Sequence, residues 1–437
     1  MDFSPQLLAQ RLRVWPAPAR YIVLASGGCD STVLLHAMAE LAGELAVPIV
    51  VLHFDHGLAT ESAEWACKVE RMAADLGFAC AVERLELAPG GAAETRAREA
   101  RYARLAEWMQ PGDCCLAAQH GDDQAETFLL QALRGAGPAG LAGMPTITQF
   151  GSGWLARPLL DFSRAELAGW AEARGLDWIE DPANDDLTVP RNRLRHEVWP
   201  RIVAHWPAAV RTLTRSAQLA AQSAALAEEI AAEDLVRLNA EQADRLPIEA
   251  LLALSLPRRR ALLRHWLAGR GFALPAETQL AELERGFIAR DPGSRAVFSW
   301  PDAEAHRFKN ALHVIKPLPE PPVEPIPLAP GEYVDLGALG RVALVAEREG
   351  ELGPAVAEGR HALHFRRGGE SLRPVGSAHR RTLKNLLQEQ AVLPWMRFRL
   401  PLLYVSETLA AVGGVAIAAE FAGKGWTFAW ENAPPLQ

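Results

Sequence analysis

The sequence predicts an α/β protein with a doubly wound, mostly parallel sheet, followed by a helical domain and a small α+β domain. Short apolar runs rich in β-branched residues, such as 21–25 and 48–52, have the length of buried strands. Segments with apolar residues at helical spacing separate these runs, and this alternation is typical of a parallel sheet with helices on both faces. After residue 212 alanine-rich helical sequence dominates, and short strand-like segments return after residue 331.

These changes in composition and predicted secondary structure indicate how the chain divides into domains. The predicted segments are a sheet domain at 1–211, a helical domain at 212–315, a proline-rich, semi-rigid linker at 316–330 and a small C-terminal domain at 331–437. In the helical domain, Leu219, Leu226 and Ile230 recur at the spacing of one helix face, which predicts that this face is buried.

The composition narrows the class of protein. With 437 residues, 49% hydrophobic and 22% charged, the chain resembles an ordinary folded globular protein. No apolar run approaches the roughly 18 residues of a membrane helix, and the N-terminus lacks the pattern of a secretory signal. Five scattered cysteines without C-x-x-C spacing fit a reducing cytoplasm better than a disulfide framework or a zinc site. The formal charge of −8 excludes a uniformly basic nucleic-acid binder, so any contact with a polyanion depends on local patches.

A glycine-containing loop between the first strand and its helix is the most informative motif. The loop residues are Ser26, Gly27, Gly28, Cys29, Asp30 and Ser31. Glycines allow a sharp turn and a close approach of a ligand to the backbone. The unpaired N–H groups and the dipole of the following helix favour an anion. We therefore expect a pyrophosphate-binding loop, although an ordinary strand–turn–helix joint capped by Ser26 or Asp30 would show part of the same pattern.

Polar residues also follow two other predicted strands. His53 follows the run 48–52, at the end of a strand where ligands bind in open α/β sheets. After the short run 114–118, Asp123 and Glu126 lie three residues apart and therefore on one helix face. Two carboxylates there could hold a divalent cation or receive an amine. The same Asp-x-x-Glu spacing also fits a capping box with Asp in the Ser/Thr position.

Arginines provide candidate anion ligands. Arg98 lies on a helix with alternating charge, and Arg191 and Arg195 share a helix face. Solvated, self-paired helix faces give similar patterns. In the C-terminal domain a basic stretch reverses the acidic balance of the chain, which predicts contact with a phosphate backbone. Its candidate residues are Arg366, Arg367, Arg373, Arg380, Arg381, Lys384 and Arg397.

The loop at 26–31 is similar to the pyrophosphate loop of the PP-loop ATP pyrophosphatases. Further stretches make the whole chain resemble one of their families, the tRNA(Ile)-lysidine synthases. The similar stretches are 26–31, 53–58, 94–102, 120–135, 157–160, 180–196, 365–370 and 394–403. The segments 122–127 and 191–192 are the most specific, because the loop marks only the superfamily.

The resemblance implies a fold like that of the adenine nucleotide alpha hydrolases and an ATP-dependent ligase. It would attach L-lysine to the wobble cytidine of the CAU anticodon of tRNA(Ile), through an adenylated base, with release of AMP and pyrophosphate. It implies that residues 26–31 and His53 bind ATP, that Asp30 and Asp123 hold Mg²⁺, and that Arg98, Arg191, Asp123 and Glu126 serve the chemistry. Arg195 and the C-terminal arginines would contact tRNA. The oligomeric state stays open between a monomer and a homodimer.

Three rival functions remain. A tRNA thiolase of the same superfamily needs a nucleophilic cysteine or an iron–sulfur cluster, whereas Cys114 and Cys115 are adjacent in a predicted buried strand. A small-molecule amidating ligase has no need of a basic C-terminal domain. An RNA-binding module with an inactive ATP site would not require Asp30, Asp123 and Glu126.

Overall fold

The computed structural model describes residues 3–57, 60–85, 93–240, 244–290, 293 and 296–436, without the side chains of 93–95. Leu58, at the end of one family-like stretch, lies outside the described residues. The chain forms two compact units, Met1–Leu226 and Ala227–Gln437. The finer domain boundaries stay predictions. No helix in the described part of the chain is both long and apolar enough to span a membrane.

The first unit contains the predicted doubly wound sheet. Among the described residues, six strands pair in the order β3-β2-β1-β4-β6-β5, and every neighbouring pair is parallel except β5 with β6. The strands are β1 Arg20–Leu24, β2 Ile49–Asp55, β3 Ala79–Arg84, β4 Asp113–Leu116, β5 Ile147–Phe150 and β6 Gly153–Ala156. Tyr21 pairs with Ile49 on one side and with Cys114 on the other, so β1 lies inside the sheet as its apolar sequence predicts.

The first unit also contains helices, some of which cover the two faces of the sheet. They are α1 Pro5–Arg13, α2 Cys29–Leu45, α3 Ser62–Asp75, α4 Ala93–Trp108, α5 Gly121–Leu133, α6 Pro138–Leu141, α7 Arg164–Ala173, α8 Pro190–Arg193 and α9 Trp199–His205. On one face Leu8, Val33 and Leu167 pack in a common core. On the other face Leu105 packs with Ile22. Alternate residues of β1 therefore enter two cores, as expected for a strand buried on both faces.

A long helix, α10 Ala209–Arg237, follows and corrects one expectation. Leu219, Leu226 and Ile230 were predicted to be buried, but Leu219 and Leu226 are 53% and 57% exposed, and Ile230 is half-buried. The alanine-rich sequence has a high intrinsic helix propensity, so the helix does not depend on the burial of this face. Helical spacing shows which residues share a face, but it does not show whether another part of the protein packs against that face.

The second unit begins with helices and an antiparallel sheet. The helices are α11 Ile248–Ala253, α12 Leu256–Gly269 and α13 Glu277–Leu283, and the sheet order is β7-β10-β9-β8. Its strands are β7 Arg245–Pro247, β8 Val297–Trp300, β9 Ala303–Phe308 and β10 Ala311–Ile315. The prediction of helical structure through residue 315 was therefore wrong for 297–315. Turn residues with positive φ, Asp302 and Asn310, separate these strands and are the signal that the prediction missed.

The C-terminal part is α+β, as predicted. One described sheet has the order β11-β14-β17-β18-β19 and another the order β12-β13-β20. The strands are β11 Ile326–Pro327, β12 Tyr333–Asp335, β13 Arg341–Glu347, β14 His361–Phe365, β15 Ser371–Leu372, β16 Arg381–Thr382, β17 Pro401–Val405, β18 Thr408–Val412, β19 Ala416–Ile417 and β20 Gly425–Glu431, with one helix, α14 Leu383–Glu389. Strand β11 lies inside the predicted linker and pairs with β14, so part of this segment belongs to a sheet of the C-terminal part.

Candidate functional site

The loop after β1 is shaped by the hydroxyl of Ser31. The Ser31 Oγ accepts hydrogen bonds from the backbone N–H groups of Ser26, at 3.2 Å, and Gly27, at 3.1 Å, and it donates to the Gly28 carbonyl at 3.0 Å. The Gly28 N–H donates to Ser26 Oγ at 3.3 Å. These amides are therefore already bonded, whereas the sequence suggested that the whole run faces a phosphate. The donors that remain for an anion belong to the first turn of α2, which begins at Cys29.

A cavity of about 710 Å³ opens beside this loop. It lies at the carboxyl ends of β1, β2 and β4, where open α/β sheets bind their ligands. Predicted site residues that line it are Ser26, Gly28, Asp30, Ser31, His53, Asp123 and Arg191. The fold thus gathers residues that are up to 165 positions apart in the chain, from Ser26 to Arg191.

Asp30 presents a carboxylate oxygen that fits a cation ligand. Its Oδ1 is buried and has no hydrogen-bond partner, while its Oδ2 lies 3.5 Å from Nε2 of His120. Mg²⁺ is commonly held by one or two carboxylates together with phosphate oxygens and water. Asp30 alone therefore fits such a site. The described residues contain no group of three or more His, Cys, Asp or Glu side chains that could hold a metal by themselves.

His120 begins α5 and was not among the predicted site residues. It is the N-cap of that helix, and the capping box pairs it with Asp123, whose Oδ2 accepts the His120 backbone N–H at 3.0 Å. The alternative of a box between Asp123 and Glu126 was therefore wrong by one helix turn. Burial alone would lower the pKa of His120, but the nearby carboxylates of Asp123, Asp30 and Asp122 outweigh burial and raise the pKa.

Asp123 and Glu126 are bound by two arginines. Glu126 is 1% exposed; its Oε2 accepts from Arg191 Nε at 2.8 Å, and its Oε1 accepts from Arg195 Nε at 2.7 Å. Asp123 Oδ1 accepts from Nη2 of Arg191 at 2.9 Å and from Nη2 of Arg195 at 3.2 Å. Burial would raise the pKa of Asp123, but His120 and the two arginines lower it.

This network changes the roles that the sequence suggested. Arg195 was assigned to tRNA, yet its guanidinium is engaged by the two carboxylates. Both oxygens of Glu126 and Oδ1 of Asp123 accept from arginines, so an amine or a cation that binds to these oxygens competes with the guanidinium groups. Charge-assisted bonds of this length are strong. Arg191 also lines the cavity, so it is held there as an oriented cation.

Of the two remaining candidates, His53 lines the cavity and Arg98 is not among its described lining residues. His53 is buried, and its Nδ1 lies 2.8 Å from the carbonyl oxygen of Ala25; burial lowers its pKa, so the ring is neutral near pH 7. Arg98 is exposed, faces the ring of Tyr102 and is not among the described residues that line the cavity. Arg101, one helix turn later, lines the cavity instead and donates from Nη2 to His56 Nε2 at 2.9 Å. The structure therefore brings Arg101 rather than Arg98 to the cavity, and the role of Arg98 in the chemistry stays a prediction.

The basic C-terminal stretch is not a uniform exposed surface. Arg366 is 10% exposed, lies 3.6 Å from Glu370 and faces the ring of Phe398. Arg397 is half-buried, and Arg381 pairs with Glu389. The exposed members are Arg367, Arg373, Arg380 and Lys384. The exposed basic surface therefore contains fewer cations than the seven that the sequence predicted.

None of the five cysteines is among the described residues that line the cavity. Burial, aided by Asp30, raises the pKa of Cys29 to about 11, and burial raises the pKa of Cys114 to about 12. Cys115 is fully buried, and its pKa is also raised. A thiolate is the reactive form of cysteine, so the raised pKa values disfavour the reactive form of these three thiols.

Comparison with known proteins covers nearly the whole chain. Family models of a PP-loop domain, a TilS substrate binding domain and a TilS substrate C-terminal domain match residues 6–202, 246–313 and 362–430. The tRNA(Ile)-lysidine synthase of Alkalilimnicola ehrlichii is 37% identical over 433 residues, 97% of this chain and 96% of its own length. That of Pseudomonas aeruginosa is 39% identical over 450 residues, 98% of this chain and 96% of its own length. Among solved structures, the U34-tRNA thiolase NcsA from Methanococcus maripaludis aligns with 49% of this chain and 76% of its own, with 13% identity and a TM-score of 0.41.

Proposed function

The chain belongs to the tRNA(Ile)-lysidine synthase family, and we propose that it joins L-lysine to C2 of the wobble cytidine in the CAU anticodon of tRNA(Ile). ATP is converted to AMP and pyrophosphate. We expect the enzyme to act in the cytoplasm, where these substrates meet. The observation that carries the proposal is the cavity in which the loop at 26–31, the free oxygen of Asp30 and the oriented Arg191 meet.

The first step activates the cytidine. Its O2 attacks the α-phosphorus of ATP, and the bond from that phosphorus to the bridging oxygen of pyrophosphate breaks. The first-turn N–H groups of α2 bind the pyrophosphate as its charge develops. Asp30 would hold a Mg²⁺ ion through Oδ1, which has no hydrogen-bond partner, and such an ion would offset charge on the phosphates.

The second step transfers lysine. Its neutral ε-amine attacks C2, and AMP leaves with the former O2, so the amine must lose a proton. Arg191 lines the cavity with a guanidinium that Glu126 and Asp123 hold in place. It binds an anion, either the α-phosphate or the carboxylate of lysine. Asp123, one of the carboxylates that line the cavity, accepts the proton in exchange for an arginine contact.

The thiolase alternative is weaker. Its chemistry would need a reactive cysteine or a cysteine cluster at the cavity. Cys29, at the loop, is buried and has its pKa raised to about 11. A Cys29→Ala variant should retain lysine transfer within about twofold, because Cys29 contributes its backbone N–H, and not its thiol, to anion binding at the start of α2. Thiolation of tRNA by the wild-type protein that is lost in Cys29→Ala would instead favour the thiolase.

The main experiment measures the transfer of radiolabelled lysine to an unmodified tRNA(Ile) transcript with a CAU anticodon, in the presence of ATP and Mg²⁺. Label should appear with wild-type protein and should be absent for Asp30→Ala and for a transcript with U at the wobble position. Asp177→Ala is the matched control, because Asp177 is an exposed aspartate paired with Lys68. If the folded wild-type protein transfers no lysine, the proposal is wrong, and assays for thiolation and small-molecule ligation replace it.

A further inference from the structure

His120 lies beside the cavity, in contact with Asp30 and Asp123, two of the acidic residues that line it. The side chain is 3% exposed and is not among the described residues that line the cavity. It stands at the start of α5, directly after the segment that follows β4. Because the His120 ring is almost fully buried, its role depends on the protein groups that it contacts.

The ring connects the first turn of α2 with the first turn of α5. Its Nε2 lies 3.5 Å from Oδ2 of Asp30 and 3.5 Å from Oδ2 of Asp123. Among the described residues, His120 is the only basic side chain in ion-pair contact with Asp30. The Asp30 carboxylate therefore has one oxygen facing the imidazole and the other, Oδ1, buried without a hydrogen-bond partner.

We propose that His120 is a positioning residue that fixes the Asp30 carboxylate for a divalent cation bound with ATP. Without the imidazole, Asp30 is free to turn toward the unpaired N–H groups of its own helix, as short acidic side chains do at helix starts. Partners that orient a metal ligand commonly change metal affinity by 10- to 100-fold when they are replaced. This inference rests on the proposed function, because it assumes that ATP and a cation bind at Asp30.

The test measures cation binding without turnover. Free Mn²⁺ is followed by electron paramagnetic resonance in the presence of α,β-methylene ATP, without tRNA or lysine. His120→Asn should bind Mn²⁺ about tenfold more weakly than wild type, because asparagine still caps α5 but ends short of Asp30. Its melting temperature should stay within a few degrees of wild type. His36→Asn, on α2 but outside the cavity lining, is the control and should bind normally.

A second variant keeps an N–H donor at a similar reach. His120→Gln should retain Mn²⁺ affinity within about threefold of wild type if the donor to Asp30 is what matters. Wild-type affinity in folded His120→Asn would overturn the inference, as would a loss in His120→Gln as large as that in His120→Asn. Absence of Mn²⁺ binding to wild type with the analogue would instead overturn the proposed ATP and metal site.

Discussion

Ile179 packs against Gly27 so closely that a Cβ on Gly27 would lie 2.4 Å from the Ile179 Cδ1. The Ile179 backbone N–H also donates to the Gly27 carbonyl at 2.8 Å. Gly27 has φ +86°, a conformation that favours glycine. The segment after α7 thus packs against this loop. The positive φ favours glycine at position 27, and a methyl group there would also displace the Ile179 side chain.

We expect Gly27→Ala to destabilise the first unit by about 1–3 kcal/mol, through backbone strain and the contact with Ile179. ATP binding should weaken more than tenfold, because the loop must move to accommodate the methyl group. Urea unfolding and binding of a fluorescent ATP analogue measure the two effects.

Gly43→Ala is the matched control for this change. Gly43 lies within α2, and nothing stands within 4 Å of the position that a Cβ would take there. Alanine at this position should raise stability by about 0.5–1 kcal/mol through helix propensity. Unchanged ATP binding in Gly27→Ala would show that the loop tolerates a shift and that Ile179 does not constrain it.

Glu126→Gln should be strongly destabilising. The buried carboxylate accepts from two guanidiniums, and an amide would leave those charges facing a neutral group. Removal of one partner from a buried ionic cluster typically costs about 3 kcal/mol. Thermal unfolding measures this loss of stability.

Glu233→Gln, in an exposed pair with Arg237, is the control and should change the free energy of unfolding by less than about 0.5 kcal/mol. Equal effects of the two substitutions would contradict the structural role of Glu126.

The sequence predicted the parts of the site that depend on local pattern. The strand at 20–24, the loop and the start of α2 follow from an apolar run, two glycines and helical spacing. His120 could not be identified in this way, because its contact with Asp30 joins residues 90 positions apart. Its signal was its position directly before Gly121 and Asp122 at a helix start.

Side-chain pairing was the other feature that local pattern could not supply. Arg195 and Arg191 share a face, as predicted, and their protein partners on that face are Asp123 and Glu126 of α5, which the spacing did not reveal. Likewise, Arg98 and Arg101 are one turn apart, and only the packing of α4 decides which of them reaches the cavity. Charge patterns identified the residues, while the tertiary fold selected their partners.

The stability of the second unit should fall on acidification because of His313. This residue is 3% exposed, packs against Trp395, and has its pKa lowered to about 4 by burial and by Arg245 and His306, against the opposing effect of Asp244. The unfolded chain binds a proton near pH 6.5 while the folded chain does not, so stability is lost as the pH falls from about 6.5 to about 4.

The expected loss between pH 7 and pH 5 is about 2 kcal/mol. The melting temperature of the second unit as a function of pH measures it, and His313→Gln should flatten the dependence over this range. His379→Gln, at an exposed position, is the control and should leave the slope unchanged. An unchanged slope in His313→Gln would assign the acid sensitivity to other groups.

Arg373 and Lys384 are the exposed C-terminal cations that we expect to contact tRNA phosphates directly. Replacement of either by alanine should weaken tRNA binding at low salt and reduce the slope of log K against log salt concentration by about 1, because one phosphate contact is lost. The melting temperature should not change. Filter binding at several salt concentrations provides this measurement.

Arg366→Ala separates a structural role from direct contact. Arg366 is nine-tenths buried between Glu370 and the ring of Phe398, so its loss leaves Glu370 without its ion-pair partner in this segment. We expect a lower melting temperature and weaker tRNA binding with an unchanged salt slope, because the variant alters the shape of the surface rather than removing a phosphate contact. A reduced slope with normal stability would place Arg366 in contact with the phosphate backbone and would show that the loop at 365–370 opens when tRNA binds.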